Sequence, residues 1–481
     1  MADRQRMRVF VALLALVMIA SACSDSGENP TQATSDAAAL IEDDTQDQTR
    51  QIGSPEGEQD GESSSADALA SIEDESEPVN DTPETERVEL EAEQSPGDVQ
   101  DESSDESASD EGSESETPTA SQATPAENAL DGPPVEPLDA LVTELMAFVQ
   151  AERGLTFIER PSVVVLDSGS FNDAWQQVVV RDAQANPADF ANFTDIYQAV
   201  GIIDDGRELD EIWTRFGDAG VVGYYDTQTG GIVLRSGELT AFTETVLVHE
   251  LVHALEDQVF GLDRDDSGAS NDETAWTFSA LIEGSARVIE GRYRATLSQA
   301  ELNEEAAARN SIPRSVSLNE FTPSFLELQF GRYDYGEDFA ATLWEVGQDE
   351  LDAAYVDPPE TSEAVVNPDA FLSGADDAEA LDFPPADGEV FEQGIWGQAG
   401  VAALLTDIYT RDDALDISQG WGNDRFVAWR DGDVSCVRIH VSADSPDALD
   451  RYADAFEEWA QLGDRQIFFP TADLIRVTSC G

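Results

Sequence analysis

The stretch Leu247-Val248-His249-Glu250-Leu251-Val252-His253-Ala254-Leu255 limits what this chain can become more than any other. It is an H-E-x-x-H pattern inside an apolar run, and it holds two of the chain's three histidines. On an α-helix, residues i and i+4 share a face, one turn apart. Two imidazoles placed so can grip one metal ion, with the glutamate between them beside the ion's open position. Val246, Leu247, Leu251, Val252, Ala254 and Leu255 make the helix apolar on nearly every side. The alternative, a surface helix with two solvated histidines, fits that pattern poorly. Two unpaired imidazoles in a buried helix would be costly. The spacing therefore predicts a site for one Zn²⁺ ion and hydrolytic chemistry.

A hydrolytic zinc site takes three protein ligands and one water. His249 and His253 supply two. A third histidine six residues after His253 is absent, because Val259 stands there and Glu256 occupies the position where glycine would be needed. His440, the remaining histidine, lies far downstream. Glu283 is the better third ligand. It sits in an apolar run (Phe278, Ala280, Leu281, Ile282), where a carboxylate needs a partner. Gly284-Ser285-Ala286 are small enough to let its helix approach the histidine helix. The other reading of Glu283 is a helix-edge charge paired with Arg287 or Arg294. Asp257, one turn past His253, is expected to orient a histidine, with a plain helix-end charge as the alternative.

The amino terminus reads as an export signal over residues 1–22. Arg4, Arg6 and Arg8 precede an apolar stretch from Val9 to Ala20, too short to span a bilayer comfortably. Ala20-Ser21-Ala22-Cys23 then resembles the lipobox of bacterial lipoproteins, with Ala20 where leucine is usual. That resemblance implies lipid on Cys23 and a chain held at the extracytoplasmic face of a membrane. An ordinary cleaved signal is the alternative. Residues 23–133 are rich in Ser, Asp, Glu, Thr, Gln and Pro and lack Trp, Phe and Tyr. Such a segment cannot bury enough apolar surface to offset chain entropy, so an acidic, disordered tether is expected. Its span would be roughly 60 Å or more. With Cys23 lipidated, Cys436 and Cys480 remain, either as a disulfide stapling the carboxyl terminus or as two buried thiols. The net charge is −76 and all 25 cationic residues are arginine, which argues against nucleic acid as a partner.

Beyond Pro133-Pro134 the texture becomes globular. The expected class is α+β and helix-dominated. A region over 134–350 carries a small antiparallel sheet, and a C-terminal helical and α/β portion over 351–481 packs on it. Helices are expected at 138–153, through much of 172–216, and at 240–259, 273–294, 298–309, 323–347, 395–409 and 445–461. Strands are expected at 162–166, 424–430, 434–441 and 474–477. Residues 221–235 read as a hairpin around Thr229-Gly230-Gly231.

With the H-E-x-x-H helix and a glutamate on the next helix, the chain resembles the gluzincins, zinc peptidases of zincin-like fold. More narrowly, it is similar to a set of largely uncharacterised bacterial exported metallopeptidase-like proteins. The narrower likeness rests on Gly223-Tyr224-Tyr225-Asp226, His249 to Gln258, and Ala280 to Gly284. It continues through Tyr333 to Phe339, Asp357 to Glu363 and Gly420 to Arg425. It spans most of 138–460. The resemblance implies a peptide or protein substrate and Glu250 as the base that takes a proton from water and passes it to the leaving amine. It also implies an oxyanion donor, for which Tyr333, Tyr335 and His440 are candidates. Either strand of 221–235 would border the substrate as an edge strand. The competing expectation is a non-catalytic binding or scaffold protein of the cell envelope, with the metal kept for structure. The intact Glu250 speaks against it, since a purely structural site needs no base.

Overall fold

The computed structural model describes residues 13–17, 136–235, 239–263, 272–312, 314–374 and 381–481. Cys23, the 23–133 tether and most of the export signal lie outside these residues. Within the signal's apolar stretch, Leu13–Val17 forms strand β1.

The globular chain opens with helix α1 (Glu136–Arg153), strand β2 (Ser162–Leu166), and helices α2 (Ser168–Ala185), α3 (Pro187–Val200) and α4 (Leu209–Gly220). The hairpin β3 (Val221–Asp226) and β4 (Gly231–Arg235) follows, turning at Gly230, whose φ is 66°. A left-handed backbone costs glycine little and most other residues far more. Then come α5 (Ala241–Phe260), α6 (Asp272–Arg294), α7 (Gln299–Ser311), α8 (Pro323–Val346) and α9 (Gln348–Val356). Short helices α10 (Ser362–Val366) and α11 (Pro368–Ser373) lead to β5 (Glu389–Gly394), α12 (Gly397–Leu405) and α13 (Arg411–Ser418). The chain closes with β6 (Trp421–Asp431), β7 (Val434–Ala443), α14 (Pro446–Trp459), β8 (Arg465–Thr471) and β9 (Leu474–Cys480).

The class is α+β with two small sheets. The first has the order β1-β3-β4-β2, so both strands of 221–235 are paired on both sides and neither is the edge strand that was expected. This sheet was expected to be antiparallel and is mixed, because β2 runs parallel to β4 while β1–β3 and β3–β4 are antiparallel. A strand that returns through three helices is free to re-enter parallel, which short-range pattern does not reveal. The sheet is apolar on both faces. Tyr225, Ile232 and Leu234 pack with α5, whereas Tyr224 and Val233 face Phe171 and Trp175 of α2. The second sheet, β5-β6-β7-β9-β8, is antiparallel throughout and packs against α3 and α14. Cys436 lies opposite Cys480 in the β7–β9 register, and the two form a disulfide. The 134–350 and 351–481 portions belong to one compact unit. No helix among the described residues is long and apolar enough to cross a membrane.

The closest helix contact is α6 with α8. A Cβ added at Gly284 would lie 1.9 Å from the carbonyl oxygen of Gly336, and one at Gly336 would lie 2.1 Å from that of Ala280. The helices cross backbone to backbone, which only glycine permits. Of the small residues after Glu283, Gly284 allows a close approach to α8, while Ser285 meets Glu256 of the histidine helix.

Candidate metal centre

Helix α5 begins at a Thr240 cap whose side chain accepts from the Thr243 N–H. From Thr245 to Glu256 every residue is buried. His249, Glu250 and His253 have no solvent exposure, and Glu283 of α6 has 1 %. Two antiparallel helices bring these groups to one point. His249 Nε2 is 3.1 Å and His253 Nε2 3.4 Å from the same oxygen, Glu283 Oε2. The three ligand atoms all lie within 4.8 Å of one another.

Three observations test whether a metal ion fits. Bonds of about 2.0–2.1 Å in a tetrahedron leave neighbouring ligand atoms about 3.3 Å apart, a value between the two separations. At 3.4 Å, His253 Nε2 makes no hydrogen bond, and its buried Nδ1 has no hydrogen-bond partner either. Leaving a buried polar side chain unsatisfied costs about 1–3 kcal/mol, so His253 is placed for something other than hydrogen bonding. Finally, two imidazoles and one carboxylate are a donor set that suits zinc. The residues fit the ion.

The electrostatics keep the group poised. Burial alone would lower the pKa of His249, but hydrogen bonds with Glu283 and Glu290 and the charge of Glu283 and Glu250 outweigh it and push it up to about 9. Burial lowers His253, which has no second carboxylate in hydrogen-bond contact. For Glu283, burial acts upward, yet the two adjacent histidines hold its carboxyl down to about 2.

A layer behind the candidate ligands fixes them. His249 Nδ1 is 3.3 Å from Glu290 Oε2, two turns after Glu283 on α6. Glu290 receives Arg287 Nη1 at 3.1 Å on both oxygens, and Arg287 Nε also reaches Glu337 at 3.1 Å. A carboxylate on the far ring nitrogen sets tautomer and ring orientation. Sequence reasoning missed Glu290. Its neighbours Gly291-Arg292-Tyr293-Arg294 read as a solvated helix end, and only the packing of α6 on α5 buries it to 1 % exposure. Asp257 does not take this role. Tyr225 donates to its Oδ2 and the Leu262 N–H to its Oδ1, both at 2.7 Å, so it braces the end of α5 against β3. Below the histidines, buried Glu256 accepts from Arg153 at 2.7 Å, Ser285 at 2.5 Å and Tyr355 at 2.6 Å, tying α1, α5, α6 and α9 together.

Of the candidate oxyanion donors, Tyr333 is at the group. Its ring stacks on that of His249 at 6.4 Å between centroids, and its hydroxyl hydrogen-bonds Glu283. Burial first, then the charge of Glu283 and Glu250, raises its pKa well above the usual value, so it keeps its proton and acts as a donor. The glycine crossing at 284 and 336 is what places it there, since Tyr333 lies one turn from Gly336. The structure does not bring the other two to the group. Tyr335 donates to Glu327 at 2.6 Å beside Arg411. His440 stands on β7 in the second sheet, opposite Arg425 and Arg476, and accepts from Arg476 Nε at 2.9 Å.

Glu250 lies against β3. A Cβ added at Gly223 would come within 3.0 Å of Glu250 Oε1 and 2.7 Å of Val246 Cγ1. The strand can run this close to α5 only because position 223 has no side chain. Comparison with protein-family models, curated proteins and solved structures finds no match to this chain.

Proposed function

We propose that this chain is a zinc-dependent peptide hydrolase of gluzincin type, held outside the cytoplasm by a lipid on Cys23. The observation that carries this reading is the meeting of His249 Nε2, His253 Nε2 and Glu283 Oε2. Glu250, on the histidine helix, is not one of that trio and faces the glycine of a strand. Zinc bound there supplies Lewis acidity, which makes water a nucleophile near neutral pH. The residues supply the rest. Glu250 takes the proton of the attacking water and returns it to the leaving amine. Tyr333, protonated and buried, donates to the oxygen on which negative charge develops. Glu290 keeps the His249 ring in place.

Glu250→Gln tests the chemistry. The variant should keep its zinc and its melting temperature while peptide hydrolysis falls by about 10²–10⁴-fold. Equal turnover in variant and wild type would remove Glu250 from the mechanism. The anchor has its own test. The wild type should partition into detergent on phase separation, and Cys23→Ala should not.

One observation favours a second reading, a metal-bearing scaffold of the cell envelope. The trio and Glu250 are almost wholly shut off from solvent, as a structural site would be. Under that reading, zinc removal lowers the melting temperature and no peptide is cleaved by the zinc-loaded wild type.

A further inference from the structure

A cavity of about 50 Å³ opens between α3, α6, α8 and α12, with walls from Tyr197, Trp276, Leu328, Ile395 and Trp396. All but Tyr197 are half-buried, so solvent reaches it, in contrast to the closed metal group. The cavity is built rather than incidental. Trp276 Nε1 donates to the Leu328 carbonyl at 3.1 Å, locking one indole as a wall. The other indole rests on Gly400, where an added Cβ would come within 2.6 Å of Trp396 Cδ1. The polar group at the rim, Glu273, is turned toward backbone. It accepts from the Ser362 N–H, and the Gly397 Cα packs on its carboxylate.

The cavity lies on the same two helices as the metal group. Trp276 precedes Glu283 by seven residues, two turns on one face of α6 and about 10 Å along the axis. Leu328 precedes Tyr333 by five residues on α8. An extended peptide rises about 3.3 Å per residue, so that distance is about three residues of substrate. At roughly 10–15 Å³ for each water-sized group, the volume holds about four heavy atoms. That is about the size of a leucine side chain.

Building on the peptide-hydrolase reading, we propose that this cavity is a specificity pocket that takes a branched aliphatic side chain about three residues from the cleaved bond. Its apolar walls gain from burying such a side chain and offer nothing to a charged one.

The test walks one leucine along an otherwise Ala-Gly quenched-fluorescent peptide, with zinc-loaded full-length protein. Wild-type kcat/KM should peak about tenfold or more with leucine three positions from the cut. Leu328→Phe and Ile395→Phe, each checked for a native melting curve, fill the cavity and should flatten that peak. In parallel, saturation-transfer NMR with N-acetyl-leucinamide reads the pocket without catalysis. Its methyl groups should saturate with wild type and not with either variant. A flat leucine walk in wild type, or equal saturation in wild type and both variants, overturns the pocket. Saturation confined to wild type with no peptide cleaved supports the pocket as an aliphatic site and sinks the hydrolase reading alone.

Discussion

The helical layer around α5 and the five-stranded sheet both bury carboxylates, and they treat Glu283 and Asp424 in opposite ways. Glu283 faces two imidazoles and is held down to about 2. Asp424 of β6 faces neutral donors, the N–H groups of Trp396 and Gly397 and the Trp421 indole, at 2.6, 2.7 and 2.9 Å. Burial wins there, and its carboxyl rises to about 6 despite those three hydrogen bonds. Neutral dipoles hold a buried carboxylate in position without making its charge comfortable, whereas groups able to carry positive charge do both. Asp424 has the signature of a structural tie between β6 and α12. Glu283 has that of a candidate ligand, since the groups that stabilise its charge are the two histidines of the proposed metal trio.

That contrast can be broken from either side. On the sheet side, the folded carboxyl at about 6 lies above its ordinary value of 3.8. The folded state therefore holds more protons between those values. Stability from this group is fully present below about pH 4, falls as pH rises to about 6, and is level above. The shift corresponds to about 3 kcal/mol. Asp424→Asn should remove that slope, so wild type loses about 3 kcal/mol of unfolding free energy relative to the variant as pH rises from 4 to 6.5, and the two curves run parallel beyond. Curves parallel across the whole range would mean that burial does not control this carboxyl. On the helical side, Glu290→Gln leaves the trio intact and removes the charge behind His249. Zinc affinity should drop about 10–100-fold, with little change in the melting of the zinc-free protein. An unchanged affinity would demote Glu290 to a partner of Arg287.

What the sequence revealed divides along the same line. The histidine helix was legible because its evidence is local, two histidines at helical spacing inside an apolar run. Glu283 was legible for a related reason, a carboxylate where apolar residues surround it. Glu290 and the placement of Tyr333 were not. The first depends on which part of α6 packs on α5, and the second on Gly284 meeting Gly336, and neither pairing leaves a mark within its own segment. The sheet strands show the same limit. β6, β7 and β9 carry alternating apolar residues and were anticipated. The edge strands β5 and β8 were missed, because one is polar (Glu389, Glu392, Gln393) and the other contains Pro470. An edge strand buries less, so its pattern is weaker. Asp257 misled because helix position alone does not say which neighbour a carboxylate will meet.

The central claim is that His249, His253 and Glu283 together hold one ion. Metal content by mass spectrometry, on wild type and Glu283→Ala purified identically and equilibrated with limiting zinc, tests it most directly. The account predicts one zinc per chain in wild type and well below one in the variant. Equal zinc in both, or none in wild type, would contradict it.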